Sequence, residues 1–332
     1  MAAIIPHPSR QPDWQRELAE GFKHPEELLQ FLDLPLSLWD RRATASFAFR
    51  VPKAFAVRMR PGDPDDPLLL QVLPRIQENL DTPGFVADPV GDRAAEVTPG
   101  LLHKYQGRVL MIATGACAVH CRYCFRRLFP YQEQQLTASR WQAALGYIQQ
   151  DASIKEVILS GGDPLVLSDT RLHRMIAELA AVPHLQRLRI HSRLPIVLPS
   201  RVNDDLLTVL TGTRLTPVMV VHINHGNEID AAVRSAVARL RGHGITVLNQ
   251  STLLAGINDK VETLVTLQES LFAAGILPYY LHLLDRTSGT AHFEVAPARA
   301  LLLHEQLRRR LPGYLVPRLA RDLPEAPYKI AL

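Results

Sequence analysis

The sequence predicts an α/β protein, a partial (β/α)6 barrel with an N-terminal, mostly helical extension. Three observations predict it. From about residue 108, short apolar or β-branched runs alternate with stretches of helical period. Nearly every run ends in polar residues. The first 100 residues differ in texture, being helical pieces broken by proline and glycine. Six parallel strands would gather their polar ends on one rim, where barrels place chemistry, whereas an open doubly wound sheet gathers only those at its switch point.

Residues 1–100 are read as the extension, with "HPEELLQFLDLPLSLW" and "RPGDPDDPLLLQVLPRIQENLDTPGF" as its interrupted helices. Residues 101–312 are read as the barrel, and 313–332 as a C-terminal segment. The six strand runs are "RVLMIAT" (108–114), "EVILSGG" (156–162), "LQRLRIHSR" (185–193), "PVMVVHIN" (217–224), "TVLNQST" (246–252) and "PYYLHLLD" (278–285). Between them Trp141, Leu145 and Ile148 form one helical stripe, and Leu172, Ile176 and Leu179 a second behind an N-cap at Ser168. Ile229, Val233, Val237 and Leu240 run to Gly242, and Val261, Leu264, Leu267 and Leu271 run to Gly275, glycines where helices stop.

Composition narrows the function classes. Hydrophobic residues are 47% and charged residues 21% of the chain, with no apolar run near the ~20 residues that span a bilayer. "MAAIIPHPSRQPDWQ" lacks a basic start and long apolar stretch, so a cytoplasmic protein without a membrane is expected. The net charge of +4 comes from cations scattered among acids, which reads as a solvated surface rather than a nucleic-acid face. The six lysines are Lys23, Lys53, Lys104, Lys155, Lys260 and Lys329, and the first five are expected away from the strand tips.

All three cysteines, Cys117, Cys121 and Cys124, fall in "GACAVHCRYCFRR" directly after the first barrel strand. An odd, crowded set of cytosolic thiols points to metal rather than disulfides. A structural zinc site wants a fourth ligand, for which His120 is the candidate; a cubane held by three thiolates leaves one iron open to an exogenous ligand.

Cys-x3-Cys-x-aromatic-Cys, with Tyr123 at the aromatic position, resembles the cluster loop of the radical S-adenosylmethionine (radical SAM) enzymes. That resemblance implies a 4Fe-4S cluster, S-adenosyl-L-methionine at the open iron, and an electron donor of flavodoxin or ferredoxin type. "ILSGGDPL", "RIHSRLPIVLP", "HINHGNEID", "LNQSTLLAGIND" and "LPYYLHLLDRTSGTAHF", in that order, resemble the lysine 2,3-aminomutase group. "TPGLLHKYQGRVL" and "GYLVPRLARDLPEAPYK" resemble its short bacterial members, which make β-lysine for elongation factor P together with a lysine ligase.

The resemblance implies roles residue by residue. Ser160, Gly161, Gly162 and Asp163 would meet the methionyl amino group, with glycines letting backbone approach closely, and His222 and Gln250 would border the adenosyl part. Arg126 would grip the carboxylate of L-lysine through its planar fork, while Arg127 would be surface or cluster support. Asp285 and Asp322 would receive the distal ammonium, and Lys329 would carry pyridoxal 5'-phosphate. By itself Asp285 also reads as half of an ion pair with Arg286, and Lys329, four residues from the end, as a frayed terminus. The chain departs from longer relatives in having "LPEAPY" before that lysine and no cysteine-bearing extension after it, from which no zinc is expected. A free-standing metabolic aminomutase, a radical RNA-modifying enzyme and a zinc-binding interaction protein are the alternatives.

Overall fold

The computed structural model describes residues 13–131, 136–324 and 326–332. Of the opening stretch read for a leader, residues 1–12 lie outside the described residues, as does Glu325 of the "LPEAPY" departure.

One sheet holds ten strands in chain order: β1 (Glu96–Thr98), β2 (Leu101–Tyr105), β3 (Arg108–Thr114), β4 (Glu156–Gly161), β5 (Arg187–Ser192), β6 (Thr216–His222), β7 (Thr246–Thr252), β8 (Leu277–His282), β9 (Arg318–Arg321) and β10 (Ile330–Ala331). Strands β3 to β9 are parallel throughout. β1 and β2 extend one edge antiparallel, and β10 closes antiparallel on β9 at the other. The six expected strands are β3 to β8, and the partial barrel gains a seventh parallel strand from the C-terminal segment. The sixth run is shorter than read: β8 stops at His282, and Asp285 lies in the loop beyond.

Burial explains the runs. β4, "EVILSG", is buried at five successive positions because helices cover its outer face and side chains fill the barrel behind it. The helices Ala138–Gln150 and Asp169–Ala180 bury the two expected stripes, and Ser168 Oγ accepts from Arg171 N at 3.3 Å as the cap. Helix Ala231–Gly242 runs through its glycine, and the left-handed residue after it is Gly244 (φ 77°), whereas helix Val261–Ala273 is followed by Gly275 (φ 79°) as expected. Helices Asp204–Thr211 and Pro297–Arg310 were not anticipated.

The extension does not stand apart. Trp14, Leu28, Leu29, Phe55 and Leu69 share one apolar cluster with Met111, Leu159 and Ile190 of the barrel strands. A second cluster packs Leu303 and Leu307 against Leu281 and Leu319, which fixes β9 beside β8.

Candidate active site

At the C-terminal ends of the parallel strands lies a cavity of about 360 Å³, and every residue singled out for the site lines it. The three cysteines, the Ser160–Asp163 stretch, Arg126, Asp285, Asp322 and Lys329 all line it, as do His222 and Gln250, register partners on β6 and β7.

The cysteine loop is held from two sides. On the barrel side, Thr114 O accepts from Gly162 N and Ala116 O accepts from Asp163 N, both at 2.8 Å. A Cβ on Gly161 (φ 115°) would sit 2.5 Å from Thr114 O, and one on Gly162 would sit 2.3 Å from Ala116 O. The close approach these glycines permit is thus to the chain's own cysteine loop. On the other side, the extension grips the loop through Glu78. Its fully buried carboxylate accepts from Arg122 Nη2 at 2.5 Å, Arg122 Nε at 2.9 Å and Arg127 Nη2 at 2.7 Å. Arg122 also donates to Ala43 O and Phe47 O. Arg127 is therefore a support of the loop, not a surface residue.

The donor set fits a cluster better than a single ion. His120 points Nδ1 at Ala48 O, 2.9 Å away, and its ring lies tilted against Phe47, so that nitrogen is engaged by the extension. Among the described residues no three His, Cys, Asp or Glu side chains converge as one ion requires; a cubane takes each thiolate on a different iron. Burial pushes the Cys117 thiol well up and that of Cys124 to about 11, so thiolates here need a cationic centre to stabilise them.

Behind the loop runs a buried polar network that sequence reasoning missed. Arg193 donates to Cys121 Sγ at 2.8 Å, to Gln71 Oε1 at 2.6 Å and to Glu228 Oε2 at 2.9 Å. Asn224 donates to Tyr123 Oη at 2.8 Å, and His222 stacks on the Tyr123 ring at 5.6 Å. Asp163 is spent on aiming the end of β5: its carboxylate accepts from Ser192 Oγ, Arg193 N and Leu194 N at 2.7, 2.8 and 3.0 Å. Burial lowers the His222 pKa to about 3, so the ring is neutral, and its Nε2 has no partner among the described residues. The buried Nε2 of His191 is likewise unpartnered. "RIHSR" and "HINHGNE" carry the polar signal for this network, but its partners come from four separate segments.

The same cavity holds a charge cluster. Arg126 donates Nε to Asp92 Oδ2 at 2.7 Å and Nη1 to Ser160 Oγ at 3.4 Å, which fixes the plane of its fork. Asp322 accepts from Lys329 Nζ at 2.7 Å on one oxygen, and from Lys104 Nζ at 2.5 Å and Tyr105 Oη at 2.8 Å on the other. Burial would raise its pKa, but Lys329 and Lys104 outweigh that and bring it to about 2. The expectation that Lys104 lies away from the site is thereby corrected: the hairpin turn at Gly107 (φ 76°) makes "LLHKY" a strand, and Lys104 leans from it onto Asp322. Asp285 has no ion pair among the described residues, and Arg286 pairs with Glu294 at 2.6 Å instead. Burial, reinforced by Asp322 and Asp92 and opposed by Lys329 and Lys104, lifts Asp285 to about 7. Lys329 is not at a loose end, since Ile330 pairs with Arg321 and Leu332 N donates to Leu319 O at 3.0 Å.

An open barrel with a three-cysteine loop at its mouth defines a radical SAM enzyme, and residues 111–267 match the Radical SAM superfamily. The chain is 47% identical over 328 residues to the L-lysine 2,3-aminomutase of Escherichia coli (strain K12), covering 98% of its own length and 95% of the other. It is 46% identical over 319 residues to that of Haemophilus influenzae (96% and 94% covered), and 33% identical over 318 residues to that of Clostridium subterminale (94% and 76% covered). The chain belongs to the L-lysine 2,3-aminomutase family, and is an isomerase. A 4Fe-4S cluster, S-adenosyl-L-methionine and pyridoxal 5'-phosphate are that family's cofactors. No helix among the described residues is long and apolar enough to cross a membrane.

Proposed function

We propose that this chain converts L-α-lysine to β-lysine in the cytoplasm, using pyridoxal 5'-phosphate on Lys329, and that the product is destined, through a lysine ligase, for elongation factor P. The observation that carries this reading is that Lys329, with Asp322 and Asp285, lines the same cavity as Cys117, Cys121 and Cys124. Radical cleavage and amine migration need their two cofactors within reach of one substrate carbon. The destination rests on the likeness of "TPGLLHKYQGRVL" and "GYLVPRLARDLPEAPYK" to the short bacterial members.

In this reading the three thiolates hold the cluster, and Ser160 to Asp163, His222 and Gln250 border S-adenosylmethionine. The unpartnered Nε2 atom of neutral His222 suits a polar ligand atom there. Pyridoxal phosphate, when bound, supplies a π-system that stabilises the migrating-nitrogen radical. Arg108, which also lines the cavity, lies over the Tyr105 ring at 4.7 Å and makes no ion pair among the described residues, so it would be available to hold the cofactor's phosphate. Arg126, its fork already aligned by Asp92, takes the substrate carboxylate. Asp322, held by Lys104 and Lys329, and Asp285, which has no ion pair among the described residues, line the same cavity and together would offer carboxylates to the distal ammonium of the substrate.

The test is to supply the reconstituted protein with L-lysine, S-adenosylmethionine and a reductant anaerobically, and to look for β-lysine by mass spectrometry. No product above background refutes the reading. The pH dependence has a fixed sign. Asp285 titrates near 7 and must be ionised to hold an ammonium, so KM for lysine rises as pH falls through 7, while Asp322, at about 2, stays ionised. In the ligand-free protein the same raised pKa means that ionising Asp285 costs stability as pH climbs from about 4 towards 7.

A further inference from the structure

The segment 41–62 contains six cations and no acidic residue. Arg58 and Arg60 pair with Asp230 and Asp63, which leaves Arg41, Arg42, Arg50 and Lys53 without an ion pair among the described residues. Arg41, Arg42 and Lys53 are exposed and Arg50 is half-buried. The neighbouring Asp40 caps the helix Arg41–Ser46 and accepts from Asn79, so it offsets the group only at its edge.

This basic stretch lies directly on the cysteine loop. Arg50 O accepts from His120 N at 3.0 Å, Ala48 O accepts from the His120 ring, and Arg122 reaches Ala43 O and Phe47 O. Phe47 and His120, their rings tilted against each other at 5.3 Å, both line the cavity with the thiols. Residues 43–50 of this cationic stretch are thus joined to the cluster loop by two rings and a few residues of backbone.

We infer that the face carrying Arg41, Arg42, Arg50 and Lys53 docks the electron donor, a small acidic protein bearing a low-potential flavin or iron–sulfur centre. One electron leaves the donor's reduced centre and enters the cluster, with no bond made or broken. Unpaired cations beside a buried redox centre raise the encounter rate of an acidic partner and align its centre with the loop, at little cost to the fold. This rests on the chain's use of a 4Fe-4S cluster and not on its substrate, since the reduction requires no lysine.

The experiment compares the reconstituted full-length protein with an Arg41→Glu/Arg42→Glu/Lys53→Glu variant. Cluster reduction is followed by its visible absorbance and EPR signal, without lysine. With a reduced acidic flavodoxin the wild-type rate should fall steeply with salt, and the variant should be slower by roughly tenfold or more at low salt, with little salt dependence left. With photoreduced deazaflavin, a small non-protein reductant, the two should be equal. Equal flavodoxin rates in the two proteins overturn the proposal, and so does an equal slowing with deazaflavin. Unchanged flavodoxin rates accompanied by lost retention on RNA would assign the face to nucleic acid.

Discussion

Lys329→Ala should abolish β-lysine formation while leaving iron content and fold intact. Among the described residues the side chain makes one ion pair, with Asp322 at 2.7 Å, and the backbone after it is stitched to β9, so truncation removes the amine without releasing the terminus. Asp322 keeps Lys104 and Tyr105 as donors and is not left as an unpaired buried charge. Product should drop below detection. S-adenosylmethionine cleavage without lysine, read as slow release of 5'-deoxyadenosine, should persist, because the cysteine loop is untouched. A variant that retains product formation removes Lys329 from the chemistry.

Glu78→Ala should have the largest structural effect. Two buried guanidiniums, those of Arg122 and Arg127, share this one carboxylate, and neither has another acid within ion-pair distance among the described residues. Removing one partner of a buried pair costs about 3–5 kcal/mol, because the desolvated charge stays behind. The strain falls where Arg122 sits, between Cys121 and Cys124. The expected result is a lowered thermal midpoint and a protein that binds less than the full complement of iron after anaerobic reconstitution, measured by calorimetry and by iron and sulfide analysis. Glu78→Gln, which retains a carbonyl acceptor, should lose less of both. Full iron loading in Glu78→Ala would show that the loop forms without the extension's grip.

Local patterns carried most of the barrel. The alternation of apolar runs with helical stripes was legible because β3 to β8 each bury a hydrophobic run and each helix buries one face. β9 and β10 were not, since "RLAR" and "IA" are too short to show a period and exist through pairing with β8 and with each other. The cysteine loop was legible from spacing alone, and Lys329 only from its seven-residue distance to Asp322 and the text around it. Long-range partners were invisible. Glu78 meets Arg122 across 44 positions, Gln71 meets Arg193 across 122, and Lys104 meets Asp322 across 218, with no local signature at either end. Asp92, which aims Arg126, lies in a loop of the region read as extension. The sequence thus displayed the groups proposed to touch cofactors and substrate, and hid those that hold them in place.

The decisive point is which of two lysines takes the cofactor, because Lys104 and Lys329 share Asp322 in the same cavity as the cluster loop. Treating the protein with pyridoxal 5'-phosphate, reducing with borohydride and mapping the peptides answers it. The phosphopyridoxyl mass is expected on the peptide containing Lys329 and not on that containing Lys104. Label on Lys104, or scattered over exposed lysines with none at Lys329, would contradict this.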